Sequence, residues 1–543
     1  MSISRSKVFL YGTYVLIRLV LSYYVLFDDC DETMNYFEPL HYLLYGKGLQ
    51  TWEYAPSFSL RSYFYLMVFG LPAFIAKLPI FSFIPKPVIL HLIRSWLVIL
   101  FSASELTLFH ALSSYSSHFT SFLSIVSLFS SPLIKASVAF LPSSSALFFY
   151  NLSSAFTLSD HHWLSLVCVC CSVLWTWPFS GLVFLINFVF NYFKLLKSES
   201  LKRVIIKSFL IFSFSLLPQF LLDSYFYGKP VIPSLNIVLY NVFSDTSKGP
   251  HLYGVEPWYY YFLNLFVNLG PVLILCFLGV CFLIYHSTLM LKESYFPYYF
   301  FPSILLSFSS IIWTIFMSFQ PHKEERFISP ALNGILVLIT YPIACVYDEI
   351  NAVKPSSFFF RFRKFLMRFC LFILLIPIFY GVFRIAGLYA NYGAPRFVFD
   401  DFYYSNYKHN HEHNQTICLG KEWYRFQTHF YVPNNFKLEF IKSGFEGHLP
   451  KLFLEDNKLT TNIDRKGFND LNIGDFSVFV DVYDCDYVID LELIGQNEEY
   501  LSNLNEFTVL NSFKFLDSNS SPWYCRIIYT FFRKNAYLEI IYC

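Results

Sequence analysis

Apolar runs long enough to cross a bilayer recur along this chain up to about residue 383, and no other feature limits its fold so tightly. A bilayer core holds no water for backbone N–H and C=O groups, so a crossing segment satisfies its own and becomes a helix. Runs near 8–27, 62–84, 88–111, 117–133, 136–158, 163–195, 205–222, 258–285, 297–318, 328–347 and 365–383 predict about eleven spans in a mainly α membrane protein. The run 163–195 is overlong, and Trp175-Thr176-Trp177-Pro178 inside it predicts a kink or two half-helices. Charged residues make up 14% of the chain, against about a quarter in a soluble protein. The 66 Phe and 41 Tyr suit a bilayer and its interfaces. A formal net charge of +1 offers nothing to a nucleic-acid partner.

The first run, Val8 to Phe27, lacks a small-residue cleavage site and leads directly into acidic residues, so it reads as a retained span. Orientation follows from Lys and Arg, which stay cytosolic in short loops. Lys194, Lys197, Lys202, Arg203 and Lys207 flank one connection, and Arg361, Arg363, Lys364 and Arg368 precede the last run. An odd number of spans then puts the N-terminus in the cytosol and the loops 28–61, 223–257 and 319–327 on the far side, with the tail. Those loops are also rich in acidic and aromatic residues. Residues 1–383 thus read as a membrane module, and 384–543 as a polar tail long enough for a small α/β or β-rich domain. Within the tail, Phe476–Tyr483 and Tyr487–Ile494 alternate like short strands.

Of the 12 Cys, Cys168, Cys170, Cys171, Cys276, Cys281, Cys345 and Cys370 lie in or beside apolar runs and read as buried small hydrophobes. Cys170-Cys171 has no His or Cys partner at ligand spacing. Cys30, Cys418, Cys485, Cys525 and Cys543 lie outside the runs, with room for one or two disulfides whose pairing the sequence leaves open. Asn414-Gln415-Thr416 and Asn519-Ser520-Ser521 are glycosylation sequons. His409, His411 and His413 read as a solvated loop and not as a metal site.

Four carboxylates, Asp28, Asp29, Asp31 and Glu32, follow the first span. Mutual repulsion beside a low-dielectric slab raises carboxyl pKa values, which suits proton abstraction or cation binding. Asp31 equally suits a helix N-cap, so a solvated cap is the plainer reading. A second cluster, Pro321 to Phe327, brings His322, Lys323 and Arg326 together with Glu324 and Glu325. Its cations lie on the side from which positive charge is biased away, and they suit a phosphate head group; a hydrated loop is the alternative. Gln50, Trp52, Glu53 and Tyr54 form a third group, and Tyr253, Glu256 and Trp258 a fourth. Rings beside carboxylates and amides are the equipment of a sugar site, although interfacial anchoring explains the same aromatics.

These segments resemble the dolichyl-phosphate-mannose-dependent α-1,2-mannosyltransferases of N-glycan precursor assembly, in glycosyltransferase family 22. The resemblance is strongest in DCDETMNYFEPLHYLLYGKGLQTWEYAP (29–56), DSYFYGKPVIPSLNIVLYNVF (223–243), LYGVEPWYYY (252–261) and PHKEERF (321–327). It continues through LYANYGAP (388–395), CLGKEWYRF (418–426) and FIKSGFEGHLPK (440–451). It implies a multispanning GT-C helical bundle with a luminal α/β domain at the C-terminus, in the endoplasmic-reticulum membrane. The implied substrates are dolichyl-phosphate-mannose and a lipid-linked oligosaccharide. Much of the family reads His-Pro-Asp-Glu in the first loop. Here Asp31 takes the key acidic position and Asp29 replaces the His, so the base lies between these two, with Glu32 beside them. A β-linked donor and an α-linked product imply one inverting displacement, with a carboxylate base and a phosphate leaving group stabilised by His322, Lys323 and Arg326. No metal or cofactor is implied. Lys421, Glu422, Trp423, Tyr424 and Arg425 are expected to hold the acceptor glycan. Two other readings remain: a GPI-anchor mannosyltransferase adding the third mannose, and a multispanning transporter. Transporters place ionisable groups near the midplane and often repeat their halves, whereas here the charges gather on one face and no repeat is seen.

Overall fold

A computed structural model of the chain describes residues 5–243, 248–292, 296–352, 360–407, 415–454, 460–492, 507–530 and 537–542. The histidines at 409, 411 and 413, Asn414 and Cys543 lie outside the described residues. The chain is mainly helical with a small sheet region, and it divides into two compact units. The first comprises Met1–Tyr23, Leu97–Gln219 and Tyr253–Arg384; the second comprises Tyr24–Trp96, Phe220–Leu252 and Ile385–Cys543.

Among the described residues, six helices are long and apolar enough to cross a membrane: Lys86–Ser113, Leu201–Tyr227, Tyr260–Leu291, Phe300–Phe319, Glu325–Ala352 and Met367–Tyr392. Ser117–Phe129 and Ser131–Val138 make a seventh if they are one span; they bend by 68° where Ser130 is extended and Pro132 opens the next helix. The other expected spans fall short for local reasons. Arg5–Tyr23 is helical but carries Lys7 and Arg18. Pro142–Leu158 has only 17 residues. The run 163–195 breaks around Pro178 into His162–Cys171, a π-helical turn Ser172–Thr176, a 3₁₀ turn Pro178–Leu182 and the helix Leu185–Ser198.

The span expected at 62–84 is corrected. Gly70 and Pro72 divide it into Tyr63–Phe69 and Leu71–Ala76, each about 10 Å long against a hydrocarbon core of about 30 Å. Its flanks also meet, since Lys86 Nζ lies 3.4 Å from His41 Nε2. Its middle packs on the second unit as well, where a Cβ on Gly70 would lie 2.9 Å from Leu40.

In the first unit the helix Leu332–Ala352 is almost wholly buried. Glycine lets its neighbours approach: a Cβ on Gly334 would strike Ser310, and one on Gly279 would strike the Leu338 carbonyl. Lipid supplies no hydrophobic force between helices, so close backbone contact and interhelical hydrogen bonds hold them. Asn187 Nδ2 donates to Ser154 Oγ at 2.9 Å, and Asn191, one turn on, donates to Thr157 Oγ1 at 2.8 Å and Ser165 Oγ at 3.0 Å. Arg18 is fully buried; its Nη2 donates to Glu105 Oε2 at 2.9 Å, to the Tyr14 hydroxyl at 2.7 Å and to the Ser127 carbonyl at 3.0 Å.

The second unit holds the strands: β1 (Leu49–Gln50), β2 (Gln415–Leu419), β3 (Phe436–Ile441), β4 (Lys451–Leu452), β5 (Phe479–Val480), β6 (Tyr487–Glu492), β7 (Asn511–Leu516) and β8 (Tyr537–Tyr542). β1 pairs antiparallel with β4, Leu49 opposite Leu452. The others form one sheet in the order β5-β3-β2-β6-β8-β7, parallel from β5 to β6 and antiparallel beyond. β6 occupies the second run expected to be a strand. The first keeps only β5, because the Asp475 and Asp481 side chains accept from the Ser477 and Tyr483 amides and fold the flanks into 3₁₀ turns. A disulfide joins Cys418 on β2 to Cys485 just before β6.

Arg18→Met leaves Glu105 buried without its cation and is expected to cost about 3–5 kcal/mol of stability, while Arg18→Met with Glu105→Leu recovers most of that loss. Thermal unfolding of the purified protein checks both. Equal losses in the single and double variants would mean that packing, not charge, sets the cost.

Candidate active site

The candidate residues divide between the two units, each with its own geometry. In the second unit the acidic run opens a short helix, Cys30–Glu32, and the cap falls to Asp29: its Oδ1 accepts from the Asp31 amide at 3.0 Å. Asp31 is half-buried, with its carboxylate 3.8 Å from Arg61 Nη2, and Glu32 is buried. Arg61 organises this loop. It holds both oxygens of Glu53, at 2.7 and 2.9 Å, and donates to the Tyr36 hydroxyl at 2.6 Å. Burial alone would weaken its charge, but Glu53, Tyr36 and Asp31 outweigh burial and raise its pKa.

Gln50, Trp52 and Tyr54 lie in the core of this loop. Gln50 Nε2 donates to the Tyr54 carbonyl at 3.2 Å, and the Tyr54 hydroxyl to the Asn35 carbonyl at 2.8 Å. The Trp52 ring packs on Phe58 and Tyr240. Their aromatic character therefore serves the interior of the loop, and Glu53 serves as the partner of Arg61.

Sequence reasoning passed over two buried carboxylates of this unit. Glu38 accepts from Thr428 Oγ1 at 2.7 Å, the His429 amide at 2.7 Å, the Leu49 amide at 2.8 Å and His429 Nδ1 at 2.5 Å. Burial would raise its pKa, but His429 and the surrounding donors hold it below the ordinary carboxylate value. Asp223 accepts from Ser62 Oγ at 2.8 Å and the Phe64 amide at 3.0 Å. The available signal was a single acidic residue set among aromatic and apolar ones, Tyr36-Phe37-Glu38-Pro39-Leu40 and Leu222-Asp223-Ser224-Tyr225.

The tail segment Lys421–Arg425 is a 3₁₀ turn. Glu422 is buried and accepts from Arg425 Nη1 at 2.6 Å. The Arg425 guanidinium lies 4.5 Å from the Tyr424 ring centre and 4.3 Å from that of Phe515, while Trp423 leans on Phe445. Burial pushes the Glu422 carboxyl up to about 7, against the pull of Arg425, and Asp490 adds to the rise.

In the first unit, residues 320–324 connect Phe300–Phe319 to Glu325–Ala331. His322 Nδ1 faces the Gly254 carbonyl at 2.9 Å and Nε2 faces Glu324 Oε1 at 2.9 Å. Burial opposes a charge on this ring, but Glu324 and Gly254 raise its pKa. The other oxygen of Glu324 binds Arg326, so one carboxylate holds two cations. Lys323 is buried and donates to the Glu256 carbonyl at 2.6 Å and the Gln320 carbonyl at 2.5 Å, tying this loop to 254–256. Glu325 accepts from Lys135 at 2.8 Å and from Asn268 Nδ2 at 3.3 Å. Tyr253, Glu256 and Trp258 are exposed, Trp258 by 71%.

The sequence model of the Alg9-like mannosyltransferase family matches residues 9–433. Alpha-1,2-mannosyltransferase ALG9 of Homo sapiens is 32% identical over 529 residues, covering 94% of this chain and 84% of its own length. GPI alpha-1,2-mannosyltransferase 3 of Danio rerio is 26% identical over 324 residues, covering 58% of this chain and 55% of its own. The crystal structure of ArnT from Cupriavidus metallidurans bound to undecaprenyl phosphate overlays with a TM-score of 0.49 at 11% identity, over 81% of this chain and 86% of that one.

A carboxyl raised on folding is neutral in both states at low pH and costs stability once the pH exceeds its unfolded value, the cost growing until the folded value is passed. For Glu422 that window runs from the ordinary 4.5 up to about 7. Glu422→Gln is therefore expected to raise the unfolding temperature by several degrees at pH 8 and to leave it unchanged at pH 4. Thermal melts at both pH values check this; a destabilised variant at pH 8 would mean that the Arg425 pair outweighs burial.

Proposed function

We propose, from the premise that the chain belongs to the Alg9-like mannosyltransferase family, that it moves mannose from dolichyl-phosphate-mannose to the lipid-linked oligosaccharide precursor of N-glycans. It is a glycosyltransferase, an α-1,2-mannosyltransferase. The observation that carries the reading is the 32% identity to the human relative along 94% of this chain, through acidic loop and tail alike. The GPI reading is weaker, since that relative covers 58% of the chain.

The reaction is read on the luminal side of the endoplasmic reticulum, with the tail 384–543 luminal. Residues 62–84 drop out as a span; with the shorter helices Arg5–Tyr23, Pro142–Leu158, His162–Thr176 and Leu185–Ser198 read as crossings beside the longer ones, the count is again eleven and the expected orientation is kept. In chain order these are Arg5–Tyr23, Lys86–Ser113, the bent pair 117–138, Pro142–Leu158, the two halves of the broken run, and the five helices from Leu201 onward.

Inverting displacement asks for one base and a stabilised leaving phosphate. With Asp29 engaged as the cap, Asp31 is the base: its carboxylate, 3.8 Å from Arg61 Nη2, takes the acceptor hydroxyl proton. His322 and Arg326 receive the departing phosphate, which competes with Glu324 for them. Lys323 holds the loop that presents them. A lipid monophosphate leaves with less charge than a nucleotide diphosphate, so this chemistry needs no metal. The spans would line the groove for the dolichyl chain, and Lys421 to Arg425 would steady the acceptor glycan.

Transfer to a lipid-linked oligomannose acceptor, run beside a GPI precursor, tests the reading; activity on the GPI precursor alone would sink it. Asp31→Asn is expected to lower transfer by about 10²–10⁴-fold while both substrates still bind. Full activity in that variant moves the base to Asp29.

A further inference from the structure

Two lysines of the second unit lie over one aromatic ring, with a third near by. Lys77 Nζ lies 3.8 Å from the centre of the Tyr45 ring and Lys86 Nζ lies 5.4 Å from it. His41 stacks on the other side of the group, 4.6 Å from Tyr45, and its Nδ1–H donates to the Lys47 carbonyl at 2.5 Å. That fixes its Nε2 lone pair toward the Lys86 ammonium, 3.4 Å away. Lys47 Nζ donates to the Asn434 carbonyl, and both Lys47 and Lys77 are close enough to repel Lys86. Burial, then Lys86 itself, drives the His41 pKa well below its ordinary value, so the ring is a neutral acceptor.

Among the described residues none of the three lysines has a carboxylate in ion-pair range; Glu38 acts on Lys86 from farther away, with both its oxygens already taken. Lys86 is nonetheless buried, at 6% exposure, and it opens a 28-residue helix whose positive end adds to the field. Like charges gathered without a partner are costly unless an anion joins them. Lys47 and Lys77 are exposed and Lys86 is buried. Beside them, the returning segment 62–84 presents Leu78, Ile80 and Phe83 to the surroundings, at 50, 72 and 75% exposure. Ammonium groups next to a bare apolar rim match a phosphate attached to a hydrocarbon tail.

We propose that Lys47, Lys77, Lys86, Tyr45 and His41 form a docking site for the phosphate group of a membrane lipid, filled in turnover by the diphosphate of the lipid-linked acceptor. Naming the acceptor rests on the function proposed above; the lipid-phosphate chemistry does not. It gives the second lipid phosphate of the reaction its own cations, separate from His322 and Arg326.

The test uses the full chain in phosphatidylcholine nanodiscs, with unglycosylated polyprenyl diphosphate as the probe and native mass spectrometry as the readout. Lys47→Gln with Lys77→Gln changes two exposed side chains and is expected to weaken probe binding about tenfold, with Lys77→Arg binding as the wild type does. The apparent KM for the acceptor rises in parallel while that for the donor does not move. Unchanged probe affinity overturns the proposal, as does an equal rise in the donor KM. Nanodiscs containing phosphatidylserine separate the sources: if that lipid displaces the probe fully, the bilayer and not the acceptor fills the site, and the acceptor assignment falls. A wild type that binds the probe yet transfers no mannose would defeat the proposed function and leave the lipid-phosphate site standing.

Discussion

A single buried carboxylate ties the second unit together. Glu38 collects four donors, from the start of β1 and from Thr428 and His429, some 390 positions along the chain. In dry surroundings each is a charge-assisted bond, and removing the acceptor would leave buried donors unsatisfied. The helix Glu38–Tyr45 is thereby fixed in rotation as well as position. His41 lands one turn on, facing Lys86, and Tyr42 stacks on Phe453 with ring centres 4.1 Å apart. Gly48 follows from the same closeness, since a Cβ there would meet the Glu38 carbonyl. The acidic loop and the tail are therefore one piece of structure.

What the sequence made legible follows from what kind of force sets each feature. Long apolar helices such as Tyr260–Leu291 and Glu325–Ala352 depend on composition over twenty residues or so, and composition is read directly. The broken run at Pro178 was legible for the same reason, because proline acts locally. Residues 62–84 are as apolar as a span, so composition masked the break at Gly70 and Pro72, and the contact of Lys86 with His41 shows that the chain turns back. Likewise Phe476–Tyr483 alternates like a strand, yet two aspartate side chains compete for its amides.

The candidate site divides along the same line. The acidic run and the cationic loop were visible because charge beside an apolar run is rare. Partners were not visible. Arg61 sits eight residues after Glu53 in an irregular loop, where no periodicity announces the pair. Tyr54 and Trp52 looked like sugar-binding rings, but an aromatic residue gives the same signal whether it covers a ligand or fills a core. Glu38 and Asp223 were silent because a lone acidic residue in an apolar stretch carries no spacing to interpret.

The function proposed above makes the cationic loop a site for an anion, kept ready in poor solvent. Free cations at a membrane face would be costly and mobile, and neither condition suits a phosphate that must be met without rearrangement. Here Glu324 holds His322 and Arg326 together, and Lys323 fixes the backbone from below through the Glu256 and Gln320 carbonyls. The carboxylate raises the imidazole pKa and pairs with the guanidinium. Under the function proposed above, a phosphate with two negative charges competes with this single carboxylate for the same donors. Among the described residues, Lys47, Lys77 and Lys86 have no carboxylate in that role. On the two proposals made above, that difference separates a site whose cations are held in place between uses from one that is complete only when its anion is present.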